Sequence, residues 1–579
     1  MIKRLFSDER FTGLNPQKLK QDLIAGITVG IVAIPLGMAF AIASGVKPEY
    51  GLYTTIIAGI IVALFGGSRY QIAGPTGAFI PILLAIVLEH GYENLLIAGF
   101  LAGIMLILMG AFKLGGLIKY IPRSVTIGFT AGIAVIIFSG QIGDFLGLEN
   151  LEKQKYFHEN MIQIFKHLPE TNIYSVLTAF IGLLMIIFVP KLFPRLPVLL
   201  VALIVPTVIA VLFYPNKVAT IGSAFGGIPQ TLPSIHFPEI TWEKIKVLWQ
   251  PAFVIAMLGG IESLLSAVVA DGMTGKRHNS NRELVGQGIA NIVTPLFGGI
   301  PATGAIARTA TNINAGGFSP MSGIFQGLFV LLTVILFAPY AGSIPLAAMA
   351  PILMVVAYNM SEHKSFIHML KLKTSDSLVL ITTFLLTVFV NLTVAVPIGL
   401  GLAIISFLKR MSEVFEVERV IPSLAKSNKY QNGMDYGTKC QEISFYNIAG
   451  PLFFGAADRF ESVIASSSRR PSVLILKMKH VPILDATGAA NLASLVTDFK
   501  KRFNGTVLIT EVTEDVMSMM KATGLYEEIG PNHFFKESHE AVDYSLNIIK
   551  PNRCSLCAKS GKNTCQVFQD SSQLQKEHA

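Results

Sequence analysis

The chain has 579 residues, of which 52% are hydrophobic and only 14% are charged, with a mean hydropathy of +0.56. Soluble globular domains carry about 25% charged residues, so this composition excludes a purely soluble protein. The formal net charge is +9, but the basic residues are spread through short loops between apolar runs. This distribution argues against a nucleic-acid partner and follows the positive-inside pattern of membrane proteins.

The low-charge composition ends near residue 410 and separates a membrane part from a soluble part. The first apolar run is long and lacks a cleavage site of small residues, so we expect no cleavable signal peptide. The expected organisation is a cytoplasmic segment at 1–21, a transmembrane transporter domain at 22–410, a soluble α/β domain at 437–550 and a disordered, Cys-containing tail at 551–579.

Fourteen apolar segments fall into two sets of seven, one in each repeat of the membrane domain. The first repeat, 22–213, has predicted spans at 22–45, 51–66, 76–88, 93–112, 122–142, 172–190 and 197–213. The second repeat, 250–410, has predicted spans at 250–270, 283–297, 303–314, 322–339, 343–360, 375–392 and 394–408. Seven spans per repeat invert one repeat relative to the other. The basic loops then place both ends of the chain in the cytoplasm of a bacterial inner membrane.

Both repeats contain the same interrupted motifs. LFGG at 64–67 is followed by GPTGA at 74–78, and LFGG at 296–299 is followed by TGA at 303–305. Pro75 lacks an N–H and cannot continue a helix backward, so the third segment is too short to cross the bilayer. Matched breaks in two repeats predict half-helices that meet near the bilayer midplane, with extended chain crossing between them. The alternative is a simple kink in a packed helix.

The starts of the two half-helices form the candidate substrate site. Unpaired N–H groups and the positive end of the helix dipole favour an anion there, and small residues let it approach the backbone. The second half-helix also carries Arg308, which adds positive charge unless its side chain extends to the membrane surface. The remaining substrate-binding candidates are Thr76, Gly77, Ala78, Thr303, Gly304 and Ala305, with Phe40 on the cavity wall.

Glu262 lies in the middle of an apolar span, where a carboxylate is costly and usually functional. It is the candidate coupling residue, which either exchanges a proton or binds a cation together with Ser266 one turn later. The alternative is a purely structural carboxylate that is neutralised by Arg308 or by backbone donors. Protonation of Glu262 beside an anion site would remove charge repulsion and link proton movement to anion movement.

Beyond residue 437 the pattern changes to strands alternating with helices, which is typical of an α/β domain with parallel strands. The predicted strands are 472–478 and 506–510, and the predicted helices are 488–502 and 513–522. Thr487, in an Asp-Ala-Thr-Gly turn, is either part of a helix cap or a site of phosphorylation or partner contact. The tail residues Cys554, Cys557 and Cys565 are one ligand short of a structural metal site, so no metal is predicted.

These motifs resemble the sulfate permease (SulP) family of anion transporters over nearly the whole chain. The matching sequence segments include DLIAGITVG at 22–30, PEYGLY at 48–53 and NSNRELVGQG at 279–288. The soluble domain resembles the STAS domain of that family, and the turn at 485–488 matches its phosphorylatable turn. The run IESLL at 261–265 is similar to the C4-dicarboxylate branch of the bacterial members.

The resemblance implies fourteen spans in two inverted repeats, a core domain that moves against a gate domain, and a cytoplasmic STAS domain in a homodimer. It also implies an anion site between spans 3 and 10, at the residues given above. Sodium-coupled members carry Asp and Thr where this chain has Glu262 and Ser266, which favours protons here. The implied partners are a small anion, a proton or sodium ion, the lipid bilayer, a second copy of the chain and a cytoplasmic partner of the STAS domain.

We therefore expect a secondary active transporter rather than an enzyme, with no cofactor. The principal expectation is proton-coupled uptake of a C4-dicarboxylate such as succinate, fumarate or aspartate. The alternative is a sulfate or bicarbonate transporter, coupled to protons or sodium, or an anion exchanger. Two other classes stay open, a nucleobase permease of the same seven-plus-seven architecture and a non-transporting scaffold that recruits partners. The paired helix breaks favour transport, because a scaffold does not need a polar cavity at the midplane.

Overall fold

The computed structural model describes residues 8–116, 121–148, 151, 154, 156–194, 196–230, 235, 237–419, 442–453 and 471–549. The chain divides into two compact units, Met1–Ala403 and Ile404–Ala579. The first unit is helical, and the second carries a five-stranded sheet. The tail at 551–579, with its three cysteines and its predicted disorder, lies outside the described residues.

Apolar runs of the first repeat form helices, several of which start at a proline or a capping side chain. Asn15, for example, precedes Pro16 and accepts a hydrogen bond from the N–H of Lys18 (2.8 Å). A two-residue strand, β1 Ala73–Gly74, and a 3-10 turn, Gly77–Phe79, precede the third helix. The helices are α1 Pro16–Ala43, α2 Pro48–Phe65, α3 Ile80–His90, α4 Tyr92–Ala111, α5 Arg123–Gly140, α6 Ile142–Leu146, α7 Phe157–His167, α8 Ile173–Leu192, α9 Val198–Phe213 and α10 Ile221–Phe225.

The second repeat follows the same plan. A second two-residue strand, β2 Thr303–Gly304, lies between its second and third helices. The longest helix begins after Thr241, whose hydroxyl accepts a hydrogen bond from the N–H of Lys244 (3.3 Å), and ends before Gly275. The helices are α11 Trp242–Thr274, α12 Ser280–Leu296, α13 Ile306–Asn314, α14 Met321–Ala341, α15 Leu346–Met360, α16 His363–Lys371, α17 Ser375–Phe389 and α18 Leu392–Glu413.

Each of the fourteen predicted apolar segments coincides with a helix of the described chain. Among the described residues, eight helices are long and apolar enough to cross a membrane, and three further apolar helices are shorter. The number of bilayer crossings stays a prediction. The helix ends differ from the predicted limits where polar residues extend a helix: α1 begins at Pro16 rather than at 22, and α11 extends beyond 250–270 at both ends.

The helices of the first unit pack in two groups. In the first group, α1–α4 pack with α11–α14, and in the second, α5 packs with α15 and α17 while α8 packs with α9 and α15. The groups meet where α1, α3 and the 3-10 turn approach α5, α9 and α15. This division matches the core and gate that the resemblance implies, so we call the first group the core helices and the second the gate helices.

The two repeats are joined inside the core helices by a close crossing of α4 and α12. A Cβ added to Gly103 would lie 2.7 Å from the carbonyl oxygen of Gly288, and one added to Gly288 would lie 2.6 Å from that of Gly103. Each glycine therefore lets the backbone of the other repeat approach. Small residues serve this purpose at helix crossings in membranes.

The second unit contains the predicted α/β domain. Its sheet has the order β3-β4-β5-β6-β7, with β3 antiparallel to β4 and the other pairs parallel. Asp485 caps the first helix by accepting a hydrogen bond from the N–H of Gly488 (2.6 Å), and Thr487 is exposed beside it. The elements are β3 Glu416–Arg419, β4 Ile443–Ala449, β5 Val473–His480, α19 Ala486–Phe503, β6 Thr506–Thr510, α20 Glu514–Ala522, α21 Leu525–Ile529, β7 Phe534–Phe535 and α22 Ser538–Ile548.

Candidate functional site

The two breaks in the helices meet as the sequence predicts. β1 pairs antiparallel with β2, with Ala73 opposite Gly304 and Gly74 opposite Thr303. This pairing satisfies backbone groups that would otherwise be unpaired at membrane depth. The simple kink of a packed helix, which was the alternative, is therefore not what forms.

The second half-helix starts later than predicted. Thr303 and Gly304 belong to β2, and α13 begins at Ile306, so the predicted start at Thr303 is wrong. Ala305 is buried, and its N–H donates to the carbonyl oxygen of Ile72 (2.9 Å). The first-turn N–H groups that have no partner within the helix are consequently those from Ile306 onward, and Ile306 is exposed.

Helix α11 holds β2 in place through hydroxyl groups. The Thr303 hydroxyl donates to the carbonyl oxygen of Gly259 (3.0 Å) and lies 2.8 Å from the Ser263 hydroxyl. The N–H of Gly304 donates to the Ser263 oxygen (3.0 Å), and Nε2 of Gln71 donates to the Ser263 carbonyl (2.9 Å). Two of the predicted anion donors, the Thr303 hydroxyl and the Gly304 N–H, thus bind α11 in this arrangement.

Glu262 contacts the first half-helix. The hydroxyl of Thr76, which precedes the 3-10 turn, donates to Oε2 of Glu262 (3.0 Å). Ser266, one turn further along α11, points elsewhere: its hydroxyl donates to the Thr309 hydroxyl oxygen (3.1 Å), which also accepts the N–H of Ile72 (3.0 Å). The structure therefore brings Glu262 to Thr76 but does not bring the Ser266 hydroxyl to the Glu262 carboxylate.

Arg308 is buried beside β1 rather than extended to the surface. It is only 2% exposed, and Nη2 donates to the carbonyl oxygen of Pro75. A Cβ added to Gly74 would lie 2.5 Å from Nη1 of Arg308, so the guanidinium fills the space above that residue. Nη1 has no hydrogen-bond partner among the described residues.

Gate helices cover the start of the first half-helix. A Cβ added to Gly77 would lie 3.0 Å from Sδ of Met360, 3.3 Å from Cδ1 of Ile137 and 3.5 Å from Cε1 of Phe40. Phe40, which is expected on the cavity wall, is buried beside Gly77, and Ala78 is fully buried as well. Met360 and Ile137 were missed because they come from distant helices and belong to no motif.

A separate cavity of about 370 Å³ lies along α3, away from the crossed strands. Its lining includes Glu89, His90 and Gln250 of the core helices and Asp144 of α6, but neither Thr76 nor Arg308. Among the described residues, no group of three or more His, Cys, Asp or Glu side chains is arranged to hold a metal ion.

Comparison with known proteins identifies both units. A profile of the sulfate permease family matches residues 19–383, and a profile of the STAS domain matches residues 438–541. The "Putative sulfate transporter YvdB" of Bacillus subtilis is 53% identical over 92% of this chain and 98% of that protein. The "Bicarbonate transporter BicA" of Picosynechococcus is 29% identical over 92% of this chain and 96% of that protein.

Solved structures show the same fold. The murine Solute Carrier 26 family member A9 anion transporter in the inward-facing state superposes with a TM-score of 0.81 over 91% of both chains, at 20% identity. The transmembrane domain of a cyanobacterial bicarbonate transporter, BicA, gives a TM-score of 0.59 at 29% identity, covering 68% of this chain and 98% of that one. The predicted fold, a helical transporter unit followed by a STAS domain, is confirmed.

One expectation needs correction. The two relatives above are named for sulfate and bicarbonate, so a C4-dicarboxylate branch is not supported and the alternative fits better. Because the family consists of transporters, the expectation that the chain is not an enzyme is confirmed. The family profile covers more than half of the chain, and a relative matches it at 53% identity over nearly its full length. The chain therefore belongs to the sulfate permease family, as a multi-pass membrane transporter of small anions with a C-terminal STAS domain.

Proposed function

We propose that the chain is a secondary active transporter that couples uptake of a small inorganic oxyanion to protons. Sulfate is the first candidate, because the relative with 53% identity is named for it, and bicarbonate is the second. Both are compact anions. A Cβ added to Gly77 would lie only 3.0 Å from Sδ of Met360. The space beside Gly77 is therefore small, which favours a compact substrate.

The anion binds where the two half-helices begin. The helix α13 starts at the exposed residue Ile306, directly after β2, and the 3-10 turn at Gly77–Phe79 follows β1, so both starts lie next to the paired strands. The N–H groups of a helix start attract anions because they are unpaired and lie at the positive end of the helix dipole. The buried guanidinium of Arg308, held by the carbonyl of Pro75, adds a fixed positive charge to this region.

The observation that supports proton coupling most directly is the hydrogen bond from Thr76 to Glu262 (3.0 Å). An ionised Glu262 puts a negative charge beside the anion position. Two unit charges about 5 Å apart repel by about 3 kcal/mol at an effective dielectric constant of about 20. Protonation of Glu262 removes this repulsion and releases the Thr76 hydroxyl to donate to the anion. Proton binding and anion binding therefore favour each other.

A proton fits this site better than a sodium ion does. Sodium needs several oxygen ligands around the carboxylate, and the Ser266 hydroxyl is the candidate one turn away. That hydroxyl already donates to Thr309 (3.1 Å), which in turn accepts the N–H of Ile72 (3.0 Å). Turning the Ser266 hydroxyl toward a cation at Glu262 would break its hydrogen bond to Thr309, the residue that holds Ile72 just before β1.

Transport proceeds by an elevator-like movement of the core helices against the gate helices. Thr76, Glu262 and Arg308 all belong to the core, so they move together with the anion. Gate residues such as Met360 and Ile137 cover the site in the present arrangement. The charge distribution of the loops supports cytoplasmic ends in a bacterial inner membrane, and the family resemblance supports a homodimer.

The test is uptake of radiolabelled sulfate and bicarbonate into vesicles that contain the full chain, with and without an inward proton gradient. We expect the gradient to stimulate uptake and Glu262→Gln to abolish that stimulation while anion exchange persists. Glu243→Gln, an exposed acid in the first turn of the same helix, should retain it. Unchanged gradient dependence in Glu262→Gln would remove this residue from coupling. Absence of transport for every anion would instead favour the scaffold, and inhibition by uracil would favour a nucleobase permease.

A further inference from the structure

The short helix α16 (His363–Lys371) connects two gate helices and is fixed to one of them. The ring of Phe366 packs edge-on against that of Phe384 in α17, with centroids 5.2 Å apart. The Ser377 hydroxyl of α17 donates to the carbonyl oxygen of Met369 (2.7 Å). One face of α16 is thus committed to the gate, and the opposite face is left exposed.

The exposed face of α16 is both basic and apolar. Ile367 and His368 each lie three or four residues from both Lys364 and Lys371, which places all four on one side of a helix, and all four are exposed. Ile367 is 48% exposed, and Leu372, directly after the helix, is 53% exposed. The two lysines give this helix a formal charge of +2, because it contains no acidic residue.

The neighbouring charges leave this face basic. Glu362, which precedes α16, forms an ion pair with Arg123 of α5 (3.8 Å), so a nearby acid is already matched by another cation. Lys373 adds a further exposed positive charge after the helix. Leu378, in the first turn of α17, is also 61% exposed.

A second surface helix provides a natural comparison. α7 (Phe157–His167) packs at the other end of α17, where the rings of Phe157 and Phe389 meet edge-on with centroids 5.8 Å apart. It also exposes apolar residues, Ile162 and Phe165. Its formal charge is zero, because Lys166 is balanced by an acid in its first turn. Both helices are amphipathic, but only α16 is basic.

We propose that the exposed face of α16, defined by Lys364, Ile367, His368 and Lys371, binds the phosphate headgroups of anionic phospholipids. Helices of this composition lie in the membrane interface, with apolar side chains in the headgroup boundary and lysines directed at anionic headgroups. α16 joins two apolar helices of a membrane unit, so it lies close to the ends of helices that a bilayer surrounds. Its charge is complementary to anionic lipid. Lipid bound here attaches the gate helices to the bilayer surface.

The first measurement titrates the purified full chain, in neutral detergent, with phosphatidylglycerol or phosphatidylcholine and follows the thermal unfolding midpoint. A ligand that binds the folded state raises this midpoint. We expect stabilisation by phosphatidylglycerol alone. Removing both lysines, in Lys364→Gln/Lys371→Gln, should weaken the apparent affinity by about fivefold for each lysine. The control Lys166→Gln, on α7, should bind as the unmodified chain does. Equal stabilisation by both lipids, or undiminished affinity in the double variant, would overturn the proposal.

A second measurement distinguishes lipid from a protein cover. An amine-reactive reagent is applied to the full chain in vesicles of phosphatidylcholine, with or without phosphatidylglycerol, and the modification of Lys364 and Lys371 is read by mass spectrometry. Protection that appears only with phosphatidylglycerol supports the proposal. Protection in both vesicles would mean that a protein segment covers the face, and modification in both would mean that nothing does. Either of these two results refutes lipid binding.

Discussion

Replacement of Gly77 by alanine tests the contact between core and gate at the anion site. The new methyl carbon would lie 3.0 Å from Sδ of Met360 and 3.3 Å from Cδ1 of Ile137, closer than such atoms normally approach. Overpacking of this kind costs about 1–3 kcal/mol. At 1.4 kcal/mol per tenfold, the population of the present arrangement would fall by about 5- to 140-fold. We therefore expect Gly77→Ala to slow anion uptake and to lower the thermal unfolding midpoint of the chain.

The cause is checked by a double-mutant cycle with Met360→Ala, measured for both uptake and unfolding. Because Met360→Ala removes the sulfur that the new methyl group meets, the combined variant should recover most of the loss. Gly140→Ala is the matched control, since a Cβ at that position meets nothing within 4 Å. Anion uptake and an unfolding midpoint in Gly77→Ala equal to those of the unmodified chain would refute the packing argument. So would a double variant whose defects simply add.

Two further changes test contacts away from the cavity wall. Thr309→Val keeps the side-chain shape but leaves the buried N–H of Ile72 without its acceptor (3.0 Å), so the free energy of unfolding should fall by about 1–3 kcal/mol. The control is Thr311→Val, because the Thr311 hydroxyl donates only to a carbonyl of its own helix. Equal stability of the two variants would contradict the role of Thr309. In the STAS domain, burial raises the pKa of the Glu511 carboxyl, but hydrogen bonds and positive charges, including Lys477 at 3.0 Å, outweigh it and hold the pKa below its usual value. The ionised Glu511 carboxylate therefore stabilises the folded domain fully at pH values above the usual carboxylate pKa. This stabilisation is lost as the pH falls through the lowered pKa. Hydrogen exchange of β6, the strand before Glu511, should accelerate in the unmodified chain as the pH falls through this lowered pKa, after correction for the intrinsic exchange rates. Glu511→Gln should remove this dependence on pH. The same acceleration in both chains would refute the assignment.

The helices could be predicted because their signal is local. Long apolar runs with few charges identify membrane helices whatever their neighbours, and Pro75 together with the repeated LFGG and TGA motifs marks the breaks. The STAS domain was equally accessible, since strand and helix periodicities alternate clearly after residue 437. The helix ends were less accurate, because polar residues at a membrane surface continue a helix as readily as they end one.

The details of the site depend on partners that no local pattern reveals. Thr303 and Gly304 could be read as a helix start, but pairing with β1 from the other repeat makes them a strand. Ser266 follows Glu262 by one turn, so the spacing suggested a shared cation, yet packing against α13 offers it Thr309 instead. Met360 reaches the site from the gate helices and carries no sequence signal of a role there.

The pairing of β1 with β2 has a consequence for how the protein is made. The segment that contains Ala73 and Gly74 leaves the ribosome long before Thr303 and Gly304 are synthesised, yet its hydrogen-bond partners lie in that later segment. During biogenesis the first break must therefore be shielded by water, by the insertion machinery or by neighbouring helices until the second repeat arrives. This small sheet can close only after the second repeat has been synthesised, so truncation before β2 would leave the first break without its pairing partner.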